Sequence, residues 1–206
     1  MTSDNVRDQL GDHLLSPRNS ALVIIDYQPV QVGSVKSMDP HLLERNITRM
    51  ARIAKLYDLP VVLSTVNVAT GVNKPTISAL QNVLGDIPSY DRTSINAWED
   101  AEFRDAVYAT GRRKLLMTAL WTEACLSFPA LDALAGGYEV YPVVDAVGGT
   151  SVEAHETALR RLEQAGAQLT SWVQVICELQ RDWNRSDTVE EFGNIVFEDG
   201  HADPIE

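Results

Sequence analysis

The sequence has 206 residues, 45% hydrophobic and 22% charged, with a formal net charge of −12 at pH 7. That length and apolar content suffice for one folded core, so we expect a single domain over 1–206, with an N-terminal extension (1–19) and a C-terminal tail (184–206). The negative charge repels nucleic-acid phosphates and anionic lipids, which excludes both as expected partners. Without a bilayer-length apolar stretch or a signal peptide, the sequence predicts a cytoplasmic protein.

The first half of the chain predicts strands that alternate with helices. A continuous apolar run over 21–26 is typical of a strand buried on both faces of a parallel sheet. Apolar residues three and four apart predict an amphipathic helix over 40–57, with Asp39 as its N-cap. A second apolar strand is expected over 60–66. Glycines and prolines between 68 and 88 predict a mobile loop.

The second half repeats this alternation. Thr150 and Glu153 have the spacing of a capping box, which predicts the start of a helix that ends at Gly166. The other expected elements are a helix over 103–109, a strand over 114–120, a helix over 122–135, a strand over 138–144, a strand over 168–172 and a helix over 173–183. This order predicts an α/β fold, a three-layer sandwich with a mostly parallel central sheet of about six strands and helices on both faces.

Reactive side chains follow the carboxyl ends of the predicted strands, where open parallel sheets bind their ligands. Asp26 ends the first strand, and Asp145, at the end of a later one, is expected to hydrogen-bond the turn that follows it. Thr122 is the expected N-cap of a helix, which would place Cys125 in its first turn. There the positive end of the helix dipole would lower the pKa of the Cys125 thiol towards neutrality.

Each of these candidates has a simpler alternative. Cys125 could be a small apolar side chain of its helix, and Asp26 could cap a helix or pair with an arginine. The second cysteine, Cys177, has Trp172 and Ile176 as apolar neighbours and is expected to be a buried structural thiol. Both cysteines are expected to be reduced.

Two motifs carry a resemblance to a known family. Val-Ile-Ile-Asp-Tyr-Gln over 23–28 and Leu-Trp-Thr-Glu-Ala-Cys over 120–125 resemble the isochorismatase-like cysteine hydrolases, which include nicotinamidases. The resemblance covers nearly all of 21–183 and implies the same α/β fold and a homo-oligomer, either a tetramer or an octamer. It is greatest for the YcaC-like branch, through the segments 94–98, 122–125, 128–130 and 178–183.

The resemblance implies a triad of aspartate, lysine and cysteine, and these positions fall on Asp26, Arg92 and Cys125. Arginine keeps the positive charge of the lysine but stays protonated, so Arg92 would act electrostatically and would not shuttle a proton. The resemblance further implies an oxyanion hole formed by the backbone amides of Trp121 and Cys125, with a cis peptide bond between Leu120 and Trp121. Cys125 would attack a carbonyl carbon and form a thioester, which water would then hydrolyse.

Substrate, metal and cofactor sites complete these expectations. Gln28, Asn96 and Trp98 could line the substrate pocket or serve only to close loops. Nicotinamidases of the family bind a divalent ion through an aspartate and paired histidines, whereas the four histidines here are scattered, so no metal is predicted. Because no glycine-rich phosphate-binding motif follows any predicted strand, no cofactor is predicted either.

The sequence therefore favours a metal-independent hydrolase that cleaves the C–N bond of a small-molecule amide. A nicotinamidase is the first alternative, and the absent metal cluster argues against it. A noncatalytic redox sensor, in which Cys125 is oxidised to a sulfenic acid, is the second. The amphipathic run over 178–183, with its tryptophan and arginine, is typical of a subunit interface.

Overall fold

The computed structural model describes residues 4–198, and their core is a fully parallel sheet of five strands in the order β3-β2-β1-β4-β5. The strands are β1 (Ser20–Ile25), β2 (Val61–Val66), β3 (Ser89–Arg92), β4 (Lys114–Ala119) and β5 (Glu139–Pro142). The expected strand over 168–172 is reduced to a single bridge between Thr170 and Val143. It stops there because Ser171 caps the next helix, which begins at Trp172. The prediction of about six strands is thus corrected to five.

Helices cover both faces of the sheet, as predicted. They are α1 (Pro29–Ser34), α2 (Pro40–Leu56), α3 (Ser78–Leu84), α4 (Ala101–Ala109), α5 (Ser127–Ala135), α6 (Val152–Gln164), α7 (Trp172–Gln180) and α8 (Val189–Phe197). Short 3₁₀ turns occupy Ala97–Glu99 and Val144–Ala146, and a π-helical turn occupies Thr122–Leu126. Asp39 caps α2, as expected, by accepting hydrogen bonds from the next two backbone amides along the helix.

The sheet separates two hydrophobic cores, which explains the continuous apolar runs of its central strands. In β1, Leu22 and Ile24 join the core beneath α2 and α7, whereas Val23 and Ile25 join the core beneath α4 and α5. A strand that is buried on both faces has no polar side, so its sequence does not alternate. The three-layer α/β sandwich is confirmed.

Several predicted boundaries need correction. The N-cap of α6 is Ser151, whose hydroxyl accepts from the Ala154 amide, and not Thr150. The predicted mobile loop over 68–88 contains α3, because the buried side chains of Leu80 and Leu84 anchor that helix. β3 begins directly after it, at Ser89.

The segments expected as an extension and a tail also contribute to the fold. The C-terminal tail contains α8, whose Phe192 and Ile195 are buried in the core that also covers α2, although residues 199–206 lie outside the described part. In the N-terminal extension, Leu15 is fully buried in the same core. Within 4–198, no helix is both long and apolar enough to span a membrane.

Parallel register brings the carboxyl ends of four strands to one edge of the sheet. Ile25, the last residue of β1, pairs with Ser64 of β2 and with Ala119 of β4. Arg92, the last residue of β3, pairs with Val66 of β2. The residues that follow these strands therefore share one edge, as the sequence predicted for a ligand site.

Candidate active site

Asp26 lies directly after β1 with its side chain fully buried. Its amide donates to Ser64 O at 3.0 Å, and its φ of 64° lies in the left-handed region that residues other than glycine seldom adopt. Such a conformation persists only where the surrounding structure determines it, and it is concentrated at functional sites. The backbone thus turns sharply here, at a residue that is fully buried.

Arg92 binds that carboxylate with both ends of its guanidinium. Nη1 donates to Asp26 Oδ1 at 2.7 Å and Nη2 donates to Asp26 Oδ2 at 2.8 Å, with both side chains buried. Nη1 also reaches Ser64 Oγ and Thr65 O, and Nη2 reaches Ile95 O. The alternative that Asp26 pairs with an arginine is therefore observed, and the arginine is the one at the second triad position.

Cys125 lies in the π-helical turn that follows β4. The turn is wide because the Leu126 amide donates to Trp121 O, five residues back, at 3.1 Å. Trp121, and not the expected Thr122, occupies the N-cap position, and no side chain caps this turn. Single π-turns frequently mark functional sites, and this one leaves Cys125 partly exposed.

The thiol of Cys125 is harder to ionise than the sequence predicted. Burial, the charge of Asp26 and a hydrogen bond with Asp26 together raise its pKa to about 12. The charge of Arg92 and a hydrogen bond with the Trp121 backbone lower the pKa only in part. The predicted lowering is wrong because position on a helix ignores both the burial of the sulfur and the carboxylate beside it.

The peptide bond between Leu120 and Trp121 is cis, as the resemblance implied. The Trp121 indole is fixed by its Nε1, which donates to Ser34 Oγ at 2.7 Å. This contact ties the start of the Cys125 turn to α1, the helix that follows Asp26. Binding of an oxyanion by the amides of Trp121 and Cys125 stays a prediction.

The three residues expected to line a pocket have structural partners. The side-chain nitrogen of Gln28, Nε2, donates to Val66 O and Lys74 O, and its side-chain oxygen, Oε1, accepts from the backbone amide of Val66. Asn96 accepts from the Trp98 amide and donates to an aspartate of α5. These contacts support loop closure, and substrate binding by these residues stays a prediction.

Trp98 belongs to an aromatic cluster outside the Asp26–Cys125 pair. Its ring packs edge-to-face against Phe103, Tyr108 and Tyr138, with ring centroids 5.7–6.4 Å apart. The side chain is almost completely buried between α4 and α5. Its contacts are those of a core residue.

Two other expectations are corrected. Asp145 accepts at Oδ1 from the amide of Trp172, at the start of α7, and so does not serve the turn that follows it. Cys177 is exposed, because it lies on the outer face of α7 while Val175 and Ile176 face the core. Both cysteines are free thiols, as predicted. Within 4–198, no three His, Cys, Asp or Glu side chains converge as metal ligands would.

Sequence reasoning missed the residues on the outer side of the Cys125 turn. The Thr122 hydroxyl hydrogen-bonds to His155, and the Thr122 amide donates to Gly148 O. Glu123 accepts two hydrogen bonds from Thr150. In the sequence, the two sides of this contact are the Thr-Glu-Ala-Cys motif and the Gly-Gly pair at 148–149. Neither motif alone indicates that the two segments meet.

Comparison with known proteins places this site in context. A family model described as isochorismatase domain matches residues 20–174. The chain is 37% identical over 170 residues to the probable hydrolase YcaC of Escherichia coli strain K12, covering 82% of this chain and 81% of that protein.

Two solved structures are similar at a TM-score of 0.81 each. One is YcaC from Pseudomonas aeruginosa with hexane-2,5-diol and covalent acrylamide, 31% identical and covering 91% of this chain and 98% of that one. The other is the Escherichia coli YcaC gene product, described as an octameric hydrolase of unknown specificity, 32% identical and covering 92% and 97%.

Proposed function

Because the chain belongs to the isochorismatase family, we propose that it is a cysteine-dependent hydrolase that cleaves the C–N bond of a small amide. The observation that carries this proposal is the buried, two-pronged ion pair of Asp26 and Arg92 beside Cys125. A carboxylate with both oxygens oriented by arginine can accept a proton from a neighbouring thiol in one defined direction. Nucleophile and base are thus within reach of each other, as nucleophilic catalysis requires.

In the first half-reaction, Cys125 Sγ attacks the amide carbonyl carbon while Asp26 takes the thiol proton. Negative charge develops on the carbonyl oxygen, which the backbone amides of Trp121 and Cys125 would stabilise. The tetrahedral intermediate collapses, the C–N bond breaks, and Asp26 returns the proton to the departing nitrogen. Ammonia or an amine leaves, and the acyl group stays on Cys125 as a thioester.

In the second half-reaction, water attacks the thioester carbonyl carbon. Asp26 takes a proton from that water, and the C–S bond breaks as the acid is released. The thiolate then recovers a proton from Asp26, which restores the starting state. This cycle needs only side chains of this chain, backbone amides and water.

Arg92 acts by charge and by orientation. It donates to both oxygens of Asp26 and remains protonated throughout, so it holds the base in place without carrying protons. Its charge also favours the thiolate as that thiolate forms. A lysine could supply the charge but would not supply the two parallel hydrogen bonds.

The similar proteins support both the chemistry and an assembly. Escherichia coli YcaC is described as an octameric hydrolase, which supports a homo-oligomer here, as a tetramer or an octamer. The Pseudomonas aeruginosa protein carries covalent acrylamide, a small primary amide. Small neutral amides are the first substrates to test, because the proposed thioester forms at an amide carbonyl carbon.

The other two functions considered from the sequence have less support. A redox sensor needs a thiolate at neutral pH, whereas the raised pKa of Cys125 keeps the thiol protonated. A nicotinamidase of the metal-dependent kind needs a ligand cluster, and the described residues bring none together.

The proposal is tested by incubating the protein with a panel of small primary amides and measuring ammonia release. Intact-protein mass spectrometry of quenched samples would show the acyl group on the chain. We expect turnover in the wild type and in Cys177→Ser, and loss of turnover in Cys125→Ser and Asp26→Asn. Turnover that survives Cys125→Ser would contradict a cysteine nucleophile.

A further inference from the structure

The outer side of the Cys125 turn is fastened to the segment that precedes and begins α6. Glu123 Oε1 accepts two hydrogen bonds from Thr150, one from its amide at 2.9 Å and one from its hydroxyl at 2.6 Å. Thr122 Oγ1 lies 2.8 Å from His155 Nδ1. Burial lowers the pKa of His155, so the neutral ring can accept a hydrogen bond from the Thr122 hydroxyl. Both residues that precede Ala124 and Cys125 are thus held by their side chains.

The Gly148–Gly149 pair permits this close approach. A Cβ added to Gly149 would lie 2.6 Å from Glu123 Oε2 and 3.1 Å from the His155 amide. A Cβ added to Gly148 would lie 2.6 Å from Val35 Cγ1. A side chain at 149 would push the loop away from the turn and one at 148 would collide with Val35, which explains a glycine pair that nucleotide binding does not.

The second oxygen of Glu123 shows that this contact is not optimised for stability. Oε2 is buried, and no donor within residues 4–198 hydrogen-bonds to it. A buried acceptor without a donor costs free energy that folding alone has no reason to retain. Along the sequence, Glu123 lies between the two residues whose backbone amides form the proposed oxyanion hole, two residues after Trp121 and two before Cys125.

We propose that Glu123 is a positioning residue for the proposed reaction, holding the Cys125 turn against Thr150 so that the nucleophile and both oxyanion amides keep their relative positions. The inference rests on the proposed function. Misplacement of reacting groups by about 1 Å can cost about 100-fold in rate, so a fixed turn has a catalytic consequence. Glu123 touches no reacting atom and acts only through the backbone of its turn.

Three variants test the role. Glu123→Ala removes both hydrogen bonds to Thr150, Glu123→Gln keeps an acceptor oxygen but removes the charge, and Thr150→Val removes only the hydroxyl donor. The matched control is Glu163→Ala, which deletes an exposed carboxylate near the end of α6. The small change in Thr150→Val keeps the test informative if Glu123→Ala does not fold.

The first readout is hydrogen exchange of the Ala124 and Leu126 amides, both of which donate to Trp121 O. We expect exchange about tenfold faster in Glu123→Ala, an intermediate increase in Thr150→Val, and exchange near wild type in Glu123→Gln and in the control. Unchanged exchange in both Glu123→Ala and Thr150→Val would overturn the proposal.

The second readout is the pH profile of iodoacetamide labelling at Cys125, with exposed Cys177 as the internal reference thiol. A loosened turn exposes Cys125, so its labelling midpoint should fall towards that of an ordinary thiol in Glu123→Ala and be restored in Glu123→Gln. For a substrate, kcat should fall about 10-fold or more with KM unchanged.

The outcomes separate this proposal from the proposed function. Faster exchange with an unchanged labelling midpoint and unchanged kcat would make Glu123 merely structural and overturn its positioning role. Exchange and labelling need no substrate, so they decide the role of Glu123 even if no amide is hydrolysed. Failure of the proposed function would instead be seen in the wild type, as absent turnover together with labelling that Asp26→Asn does not alter.

Discussion

At the level of single residues, Asp26 has two opposed effects on Cys125. Its negative charge and its hydrogen bond disfavour the thiolate in the resting protein, yet the same carboxylate is the proposed acceptor of the thiol proton. The thiol is thus kept protonated until a carbonyl carbon is present to share the developing charge on sulfur. A resting site of this kind resists oxidation and still has its base in place.

These effects separate in Asp26→Asn. Removing the carboxylate charge should lower the pKa of Cys125 below about 12, towards the ordinary thiol value of 9.0. Iodoacetamide labelling at a fixed alkaline pH should therefore become faster, whereas amide hydrolysis should be lost. Peptide mass spectrometry with Cys177 as the reference measures the first effect. Slower labelling in the variant would show that Asp26 favours the thiolate, contrary to this interpretation.

Arg92 should be more important for stability than for proton transfer. Its partner carboxylate is fully buried, so Arg92→Gln leaves a buried charge without its countercharge and should lower the free energy of unfolding by about 3–5 kcal/mol. Arg92→Lys keeps the charge and should recover part of that loss. Urea denaturation of both variants measures the loss of unfolding free energy in each. Equal losses for the two variants would mean that the fork geometry, and not the charge, sets the stability.

The sequence predicted which residues form this site better than it predicted their ionisation. Asp26 and Cys125 could be placed because each follows an apolar strand, and Arg92 because a resemblance located its position. The pKa of Cys125 could not be predicted in this way, because it depends on burial and on the carboxylate of Asp26, 99 positions earlier in the chain. Glu123 was missed for the same reason, because its partner Thr150 lies in a distant segment.

At the level of elements, long apolar segments were predictable and short or polar ones were not. β1 and β4 are buried on both faces, so their sequences are continuous apolar runs. β3 is an edge strand with the sequence Ser-Tyr-Asp-Arg, which lacks any apolar signal. It forms because Asp91 accepts from Thr65 Oγ1 and from the amides of Val68 and Ala69. Such tertiary hydrogen bonds leave no periodicity in the sequence.

The contact between Val35, the residue that follows α1, and the loop before α6 gives a prediction at this level. Gly148→Ala would bring its Cβ to 2.6 Å from Val35 Cγ1, and such overpacking should cost about 1–3 kcal/mol of unfolding free energy. The matched control is Gly33→Ala within α1, where a Cβ meets nothing within 4 Å. That change should be neutral or stabilise by about 0.5–1 kcal/mol. Thermal denaturation of the pair measures both effects, and equal melting temperatures would contradict the close contact.

At the level of the whole molecule, the N-terminal segment closes the edge of the sheet opposite the candidate site. The Leu15 amide donates to Glu178 Oε2 at 2.8 Å, and Leu15 O accepts from Arg181 at 2.7 Å. Lys114, at the start of β4, donates to the carbonyl of His13. Glu178 and Arg181, two charged residues of the run over 178–183, thus form hydrogen bonds within the chain. From that run Trp183 is 66% exposed and would be available to a second subunit of the proposed homo-oligomer.

Asp12 links this segment to α7 and makes its stability depend on pH. Burial raises the pKa of Asp12. Hydrogen bonds from the Leu14 amide and Arg7, together with the charge of Arg181, lower it by more than burial raises it, so the pKa of Asp12 lies below 3.8. A carboxylate whose pKa is lowered by folding stabilises above its unfolded pKa, and that stabilisation is lost as pH falls through the folded value.

Asp12→Asn should therefore lower the free energy of unfolding by about 1.5–3 kcal/mol at neutral pH, since the ion pair with Arg181 at 3.0 Å is lost. The difference from wild type should shrink as pH falls from 3.8 through the lower pKa of the folded state, because the carboxyl of the unfolded chain is protonated first and that of the folded chain last. Urea denaturation between pH 2 and 7 measures this difference, with exposed Asp86→Asn as the control. A difference that stays constant over this range would mean that packing, and not the charge of Asp12, holds the N-terminal segment in place.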